Sequence, residues 1–502
     1  MSTSTRAAPA YLAFDLGAAS GRAILGRRVE RRLVLEELHR FPNGGVRLPS
    51  GLHWDVLRIW EEMQQGLAQA ADACGDRLQS VAVDTWGVDF ALLAGDDALL
   101  GNPYHYRDSR TDGILERAFA RMPAAEIYRR TGVQMMQINS LFQLLAMVET
   151  GSPLLEVAGR FLNMPDLFNF WLSGRKANEF TIATTTQCYS PLAGEWDHEL
   201  LAAMSVPSHL FGEMIAPTTP LDTLRDAVRA ETGAPPLTVV AAAGHDTACA
   251  VAAVPGTGPD FIFLSSGTWS LMGIEVTAPI ITEASQQAQV TNEGSVGNTY
   301  RFLKNIMGMW LLQECRRTWQ QQGAALSYAE LTALAAEAPA FGSFIVPDDP
   351  GFLPPGDMPA RIQSFCAQTG QTVPQSRGEI VRCVLESLAL TYREVADHLA
   401  QLSGRVLPVI HIIGGGSQNR LLNQFTADAT RRAVVAGPVE ATAAGNVLLQ
   451  MMAMGELDSV AEGRALVRHS FDLESYEPGN GDGWEAAYAR SRLLPRIEYE
   501  SE

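Results

Sequence analysis

The stretch Tyr11-Leu-Ala-Phe-Asp-Leu-Gly-Ala-Ala-Ser-Gly-Arg-Ala-Ile-Leu25 reads as an apolar strand, a turn of glycine and small residues, and a second strand. Gly17 and Gly21 permit backbone conformations closed to other residues and let amide groups approach an anion closely. Ser20 adds a hydroxyl group, and Arg22 adds a planar cation that suits phosphate oxygens. The pattern predicts a phosphate-binding hairpin, with an ordinary glycine-rich hairpin as the alternative from this stretch alone.

One acid, Asp15, stands at the end of the first of these two strands. Magnesium prefers carboxylate oxygens and usually keeps several of its waters when a protein binds it. A carboxylate beside a phosphate-binding turn is therefore well placed for this ion. We interpret Asp15 as a candidate Mg²⁺ ligand, directly or through water.

The same pattern recurs in the second half of the chain, in Asp260-Phe-Ile-Phe-Leu-Ser-Ser-Gly-Thr-Trp-Ser-Leu-Met-Gly273. Each half therefore opens with a comparable hairpin. A duplicated strand-turn-strand clamp that faces a cleft between two halves indicates an ATP-handling protein of two domains. The chain has no G-x-x-x-x-G-K-[ST] motif and no strand-coupled G-x-G-x-x-G motif, so the P-loop and dinucleotide-binding interpretations lose their main support.

The length and charge of the chain narrow the class of protein. With 502 residues, it is too long for one hydrophobic core, and this length fits two large domains or three. Its 56 acidic residues exceed its 38 lysines and arginines and give a formal charge of −18. This balance argues against a nucleic-acid or anionic-membrane surface, and a bound nucleotide needs its own cation and a local clamp.

Two prolines and two glycines in Val254-Pro-Gly-Thr-Gly-Pro259 separate two well-patterned blocks. We therefore predict two domains, 1–254 and 255–502.

No targeting or membrane segment is evident in the sequence. Met1 to Ala10 lacks the apolar core of a signal peptide, and we expect a short disordered N-terminal segment. The most apolar window, Leu237 to Val254, carries His245 and Asp246 at its middle, which argues against a membrane span.

The six cysteines are scattered, without C-x-x-C or metal-binding spacing. We expect reduced thiols in a cytosolic protein. Spacing alone leaves a bridge between Cys366 and Cys383 open.

Two strand ends carry further candidate site residues. The buried strand in Ser80 to Leu93 is interrupted at Asp84, Trp86, Gly87 and Asp89, and open α/β sheets bind ligands at the carboxyl ends of their strands. An aromatic residue beside a glycine there can cover the apolar face of a sugar, although a core tryptophan with a packing glycine explains the pair equally well.

The second strand end follows the predicted strand Leu237 to Ala243. Gly244 breaks this strand, and His245-Asp246-Thr247 enters an alanine-rich helix. Asp246 at this junction fits a helix N-cap or a catalytic base, and the pattern alone leaves both open.

The remaining pattern is that of an α/β protein. The spacing of apolar residues predicts helices over Trp54 to Ala73 and Ile380 to Val395, and a mostly helical region over Ala124 to Gly174. Arg31 to Arg40 reads as a strand, followed by a turn over Phe41 to Gly45. Further along the chain, the strand that starts at His411 ends in three glycines before a helix, a place that favours a nucleotide.

Taken together, these motifs resemble those of the FGGY carbohydrate kinases. The resemblance covers nearly the whole chain in one order, and its parts are Asp15-Leu-Gly-Ala-Ala-Ser-Gly-Arg22, Asp84-Thr-Trp-Gly-Val-Asp-Phe90, Tyr106-Arg-Asp-Ser-Arg110, His245-Asp-Thr247, Ser265-Ser-Gly-Thr-Trp-Ser-Leu-Met272, Leu303-Lys-Asn-Ile-Met-Gly308 and Gly414-Gly-Gly-Ser-Gln-Asn419. It implies a duplicated actin-like fold of two ribonuclease-H-like α/β domains around a central cleft. The first domain would mainly bind sugar and the second mainly nucleotide.

The resemblance also implies roles for individual residues. Asp246 would be the general base and would itself contact the sugar. The other implied sugar contacts are Gly87, His245, Thr247 and Asn305. The implied ATP contacts are Ala18, Ala19, Ser20, Gly21, Arg22, Thr268, Gln313 and Gly415. Ala19 stands where the family often has serine, and we expect this difference to remove at most one hydroxyl contact.

The activity implied by the resemblance is transfer of the γ-phosphoryl group of ATP, with Mg²⁺, to the 1-hydroxyl of L-rhamnulose. Trp86, Gly87 and the Asn305 segment favour this ketose over L-fuculose, L-ribulose, D-xylulose or glycerol. A non-kinase actin-like ATPase is the alternative from a different class, and the acid between the two hairpins argues against it. We expect a cytoplasmic monomer or small homo-oligomer without nucleic-acid or membrane partners.

Overall fold

The computed structural model describes residues 8–479, 481 and 483–495. The first seven residues of the predicted N-terminal lead therefore lie outside the described part of the chain. Two mixed sheets, one in each half, organise the rest. The strands of the first half are β1 (Ala10–Leu16), β2 (Ser20–Val29), β3 (Arg32–Pro42), β4 (Gly45–Leu48), β5 (Gly51–Trp54), β6 (Leu78–Thr85), β7 (Phe90–Ala94), β8 (Ala158–Asn163), β9 (Asn178–Glu179), β10 (Tyr189–Ser190), β11 (Glu195–Trp196), β12 (Met214–Ile215), β13 (Thr219–Thr223) and β14 (Thr238–Ala241).

The helices of the first half cover its sheet and build a helical insertion between β7 and β13. They are α1 (Val56–Cys74), α2 (Ile114–Phe119), α3 (Ala124–Thr131), α4 (Ser140–Glu149), α5 (Pro153–Val157), α6 (Met164–Ser173), α7 (Phe180–Ala183), α8 (His198–Ala203), α9 (Asp226–Thr232) and α10 (Asp246–Ala252).

The second half has fewer strands and longer helices. Its strands are β15 (Ile262–Ser266), β16 (Trp269–Val276), β17 (Thr291–Gly294), β18 (Tyr300–Met307), β19 (Val409–Ile413), β20 (Ala433–Ala436) and β21 (Glu474–Tyr476). Its helices are α11 (Glu283–Gln287), α12 (Trp310–Gln321), α13 (Tyr328–Glu337), α14 (Met358–Gln368), α15 (Arg377–Ser403), α16 (Arg420–Thr430), α17 (Ala441–Ala453), α18 (Val460–Ser470) and α19 (Trp484–Ser491).

The two sheets share one topology. The first has the order β13-β14-β6-β1-β2-β3, and the second has the order β17-β18-β16-β15-β19-β20-β21. In each, a hairpin (β1–β2 or β15–β16) is extended by an antiparallel strand on one side and by two parallel strands on the other. This repetition confirms the predicted duplicated α/β fold and its two strand-turn-strand hairpins.

Two helices cross between the sheets and join the halves. Helix α17 belongs to the second half but packs against β1 and β6 of the first sheet, whereas α10 packs against β15 and against α17. Ala13, Phe263 and Val447, which come from both halves, are fully buried in one shared cluster. The sheets and their crossing helices therefore form a common core, and this core fixes where α10 begins.

Helix α1 shows how the pattern of apolar residues produces the predicted helices. The Asp55 side chain accepts a hydrogen bond from Arg58 N (3.2 Å) and caps the helix. Ile59, Met63 and Leu67 form its buried face. Helix α15 likewise confirms the amphipathic pattern predicted around Ile380 to Val395.

The region 124–174 is mostly helical, as predicted, and one strand, β8, lies within it and pairs antiparallel with β7. One prediction about secondary structure was wrong in detail. The turn predicted from Phe41 begins two residues later, because β3 continues to Pro42. Phe41 is buried opposite Gly21, where any larger side chain would overlap its ring, and this packing extends the strand.

All six cysteines are buried free thiols. Cys366 and Cys383 are both free, so they are not covalently paired in this structure. Within residues 8–479, 481 and 483–495, no helix is long and apolar enough to cross a bilayer.

Candidate active site

A cleft of about 340 Å³ lies between the two sheets, where both hairpins turn. It is lined by the first hairpin, the ends of β6 and β14, the start of α10, the second hairpin, and the turn after β19. Asp15 and eleven of the residues to which the resemblance gives a role line this one cleft; the eleven are Ala18, Ala19, Ser20, Arg22, Gly87, His245, Asp246, Thr247, Thr268, Asn305 and Gly415.

Both hairpins turn at the cleft, the first through a loop of three residues (17–19) and the second through a loop of two (267–268). Gly17 N donates to Ser20 O (3.0 Å) in the first hairpin, and Gly267 N donates to Trp269 O (2.9 Å) in the second. At the end of β19, Gly414 has a φ of +82°, a conformation that favours glycine, and it starts the short 3₁₀ turn Gly415–Gln418. Three glycine-containing turns thus converge on the cleft.

Two predicted nucleotide contacts lie outside the lining of the cleft. Gly21 sits within β2, and a side chain there would overlap the ring of Phe41, so the structure gives this glycine a packing role. Gln313 lies on α12, where its Oε1 accepts a hydrogen bond from the hydroxyl group of Thr268 (3.3 Å). Gln313 therefore reaches the cleft through Thr268.

Arg22 is held between two carboxylates. Its guanidinium group forms ion pairs with Asp15, at the end of β1, and with Glu440, at the start of α17. Burial alone would lower the pKa of Arg22, but these two carboxylates raise it above its ordinary value. This cation joins the first hairpin to a helix of the second half.

Acidic groups gather beside the first hairpin. Asp15 and Asp84 lie opposite each other in the parallel register of β1 and β6. Asp84 Oδ2 accepts a hydrogen bond from Asn446 Nδ2 (2.7 Å), but its buried Oδ1 has no hydrogen-bond partner among the described residues. Burial, and next to it the charge of Asp15, raise the pKa of Asp84 well above its ordinary value.

This acidic cluster fits a bound Mg²⁺ ion. A cation beside Asp15 would offset the mutual repulsion of the acids and the unpaired oxygen of Asp84. Where the chain is described, no group of three or more His, Cys, Asp or Glu side chains forms a ready metal cage. Mg²⁺ typically needs only one or two carboxylates, with waters and phosphate oxygens completing its shell, so the donor set suits this ion.

Asp246 is the first residue of α10, and the N-cap position falls on His245, whose side chain makes no capping hydrogen bond. The Asp246 side chain is about 31% exposed, toward the cleft. Its Oδ1 accepts hydrogen bonds from Thr247 N (2.6 Å) and Thr247 Oγ1 (3.2 Å). Burial of the carboxyl group raises its pKa above the ordinary value, and the nearby charge of Asp15 acts in the same direction.

The His245 ring connects Asp246 to a buried ion pair. Its Nε2 lies 3.3 Å from Asp246 Oδ1. Its Nδ1 lies 3.2 Å from both Glu293 Oε2 and Arg301 Nη2. Glu293 and Arg301 are 3% and 0% exposed, and their pairing with each other fixes this side of the ring.

Gly87 and Asn305 also line the cleft. A Cβ atom on Gly87 would lie 3.4 Å from both His245 Nε2 and Thr185 Oγ1, an ordinary contact distance, so the absent side chain leaves space here without being required by a clash. Trp86 lines the cleft but is only 5% exposed, and its ring stacks on Trp54 with centroids 3.9 Å apart. Most of the Trp86 side chain therefore packs in the core, as the alternative interpretation predicted.

Sequence reasoning missed three residues near the cleft: Gln134, Glu293 and Arg301. Gln134 follows α3 in the helical insertion, far from any strand-end pattern. Glu293 and Arg301 lie on β17 and β18, and their burial is what marks them. Charged residues are rarely fully buried unless they are paired, but burial is known only from the structure, so the sequence alone did not identify this pair.

Solved structures share this fold at low sequence identity. A xylulose kinase from Lactobacillus acidophilus superposes with a TM-score of 0.80 at 17% identity and covers 96% of each chain. A gluconate kinase from the same organism has a TM-score of 0.81 at 17% identity and covers 97% of this chain and 99% of its own. At this identity, the likeness concerns the fold.

Closer relatives exist among curated sequences. A rhamnulokinase from Bacteroides thetaiotaomicron is 46% identical over 478 residues, which is 95% of this chain and 98% of the relative. A rhamnulokinase from Enterococcus faecalis is 42% identical over 470 residues, which is 93% of this chain and 94% of the relative.

Family models agree with these relatives. The N-terminal domain of the FGGY family of carbohydrate kinases matches residues 10–253, and its C-terminal domain matches residues 262–454. The cleft lies between these two matched regions and takes residues from both. The chain belongs to the FGGY family of carbohydrate kinases.

Proposed function

We propose that this kinase transfers the γ-phosphoryl group of ATP to the 1-hydroxyl of L-rhamnulose. The observation that carries the proposal is the 46% identity, over 95% of the chain, to a protein named rhamnulokinase. The geometry supports a kinase reaction, because one cleft holds two hairpin turns and a single partly exposed acid at a helix start.

The nucleotide would lie along the turns of the cleft. Ala18, Ala19 and Ser20 would offer main-chain and hydroxyl groups to phosphate oxygens, as glycine-rich turns do in other phosphate sites. Thr268, with Gln313 behind it, and Gly415 would contact the rest of the nucleotide. Gly21 would help by permitting the close packing of the first hairpin.

Asp15 would hold the Mg²⁺ ion, directly or through water. When bound, Mg²⁺ offsets negative charge on the phosphate oxygens. Arg22, paired with Asp15, would keep this carboxylate oriented toward the ion. Exchange of its Glu440 partner for a phosphate oxygen would also bring the Arg22 cation to the nucleotide.

The sugar would lie between the start of α10 and β18, in contact with Gly87, His245, Thr247 and Asn305. Asp246 would accept the proton of the attacking 1-hydroxyl group. In a loose phosphoryl-transfer transition state this proton moves late, so alignment of the two substrates and charge stabilisation contribute most to the rate.

The roles of the two domains, the cellular location and the oligomeric state belong to the same proposal. Residues 1–254 would form the domain that mainly binds sugar, and residues 255–502 the domain that mainly binds nucleotide. The enzyme would act in the cytoplasm on small molecules, as a monomer or small homo-oligomer.

A substrate panel tests the proposal. ADP release with Mg²⁺-ATP is measured against L-rhamnulose, L-fuculose, L-ribulose, D-xylulose and glycerol. A strong preference for L-rhamnulose is expected. Preference for another substrate of the panel would change the assigned substrate but keep the mechanism. ADP release that does not depend on any of these substrates would overturn the assignment.

A further inference from the structure

The side chain of Asp246 is hydrogen-bonded on one oxygen only. Two donor atoms of Thr247 are hydrogen-bonded to Oδ1, N at 2.6 Å and Oγ1 at 3.2 Å, and His245 Nε2 lies 3.3 Å from the same oxygen. Among the described residues none donates a hydrogen bond to Oδ2. The second oxygen therefore stays available in the cleft, provided that His245 carries its proton on Nε2.

The surroundings of His245 Nδ1 decide where this proton lies. A guanidinium group can only donate hydrogen bonds, and it stays protonated in proteins. Arg301 Nη2 directs a hydrogen bond at Nδ1 over 3.2 Å, which requires Nδ1 to be the acceptor. Glu293 Oε2 lies equally close to Nδ1, but it accepts no hydrogen bond of adequate geometry from the described residues.

Arg301 is itself held firmly in this position. It is fully buried, its Nε donates to Gly294 O (2.9 Å), and its charge is paired with Glu293 at 3.2 Å. Residues of β17 and β18 in the second half thus reach the ring that precedes α10 in the first half.

We propose that Arg301 is a positioning residue that holds His245 as the neutral, Nε2-protonated tautomer, so that Oδ2 of Asp246 receives the substrate proton. In this arrangement the Nε2–H group of His245 faces Oδ1 at 3.3 Å, and Nε2 has no lone pair with which to serve as the base. The opposite tautomer would turn the lone pair of Nε2 toward Oδ1, and the resulting repulsion would rotate the carboxylate. This inference rests on the proposed role of Asp246 as base.

The tautomer can be measured directly in the unmodified protein. The kinase is labelled with [¹⁵N]histidine, long-range ¹H–¹⁵N correlations are recorded between about pH 6 and pH 8, and His245→Gln identifies the ring signals by difference. The expected result is a protonated Nε2 and an unprotonated Nδ1. A protonated Nδ1, in either a neutral or a charged ring, would overturn the inference.

Two variants separate the arginine from its carboxylate neighbour. Arg301→Met should move the proton to Nδ1, toward Glu293, and lower kcat by about 10- to 100-fold while KM for ATP changes by less than about twofold. Glu293→Gln, the matched control in the same ion pair, should leave the Nε2–H tautomer in place. A tautomer change in Glu293→Gln, or none in Arg301→Met, would contradict the assignment to Arg301.

The spectrum of the unmodified kinase is recorded without sugar. It is therefore informative even if Arg301→Met fails to fold or the substrate panel selects another ketose. Failure of the substrate assignment and failure of the tautomer assignment are distinguished in this way.

Discussion

The side-chain amide of Gln134 forms two hydrogen bonds with the main chain of Asn305. Asn305 N donates to Gln134 Oε1 (3.0 Å), and Gln134 Nε2 donates to Asn305 O (3.2 Å). Gln134 belongs to the helical insertion of the first half, whereas Asn305 lies on β18 of the second sheet. One buried amide thus holds a proposed sugar contact in register across the cleft.

Gln134→Met should weaken sugar binding more than catalysis. Loss of the two hydrogen bonds leaves a half-buried amide and carbonyl of β18 without these partners and frees Asn305 to move. A net loss of about 1.4 kcal/mol corresponds to a roughly tenfold rise in KM for the sugar. Steady-state kinetics at saturating ATP measures this rise.

A nearby glutamine provides the control for this variant. Among the residues that the structure describes, Gln137 Nε2 donates only to Asp112 Oδ1 (3.2 Å), within the first half and near the surface. Gln137→Met should leave the sugar KM close to that of the unmodified enzyme. Equal kinetics for the two variants would show that the Gln134 amide does not position Asn305.

Asp246→Asn should abolish most phosphoryl transfer without loss of the fold. Asparagine retains an oxygen that can accept from Thr247 N, so α10 should still begin normally. Loss of the proton acceptor is expected to lower kcat by about 10²-fold or more, the scale of general-base catalysis. Nucleotide affinity, measured by calorimetry, should stay near that of the unmodified enzyme, and near-normal turnover would refute the role of Asp246 as base.

The sequence located the strand-end residues of this cleft because their signals are local. Asp15, Gly87 and Asp246 each follow an apolar run, and the carboxyl ends of parallel strands meet at one edge of a sheet. The two hairpins could also be predicted, because each is one continuous stretch of sequence. The order of the strands in the sheets then brings the hairpin turns and the strand ends together at the cleft.

The partners that arrive from elsewhere could not be predicted in this way. Gln134 and Arg301 act through contacts with residues far along the chain, and such contacts leave no periodic signal. The ion pair of Arg22 with Glu440 was missed for the same reason, because it joins the two halves. The sequence therefore predicted which residues face the cleft better than what holds them there.

Asp89 should make the stability of the kinase depend on pH. Its buried carboxylate accepts hydrogen bonds from Trp54 Nε1 (2.6 Å), Gln143 Nε2 (2.9 Å) and Trp86 Nε1 (3.0 Å). Burial outweighs these bonds and raises its pKa from 3.8 to about 6. The folded state thus binds this proton more tightly than the unfolded state, and the contribution of Asp89 to stability falls as pH rises from about 4 to about 6.

The comparison of Asp89→Asn with the unmodified protein isolates this effect. The shift corresponds to about 3 kcal/mol, so the free energy of unfolding of the unmodified protein, relative to the variant, should fall by about that amount between pH 4 and pH 7. Urea unfolding at several pH values in this range measures the difference. A difference that does not change with pH would contradict the prediction.

Gly445→Ala should loosen the joint between the two halves of the kinase. An ideal Cβ atom on Gly445, in α17, would lie 1.7 Å from the carbonyl oxygen of Cys249 in α10, so the two helices must separate. Overpacking of this kind costs about 1–3 kcal/mol, and the shift would also displace Asp246 at the start of α10. The temperature of thermal unfolding and kcat should therefore fall together.

Gly463→Ala is the matched control within helix α18. The new methyl group would meet Leu448 at an ordinary 3.4 Å, and alanine is the better helix former by about 1 kcal/mol. That variant should unfold at an equal or higher temperature with unchanged kcat, and the same loss in both variants would mean that the close approach of α10 and α17 is not what holds Asp246 in place.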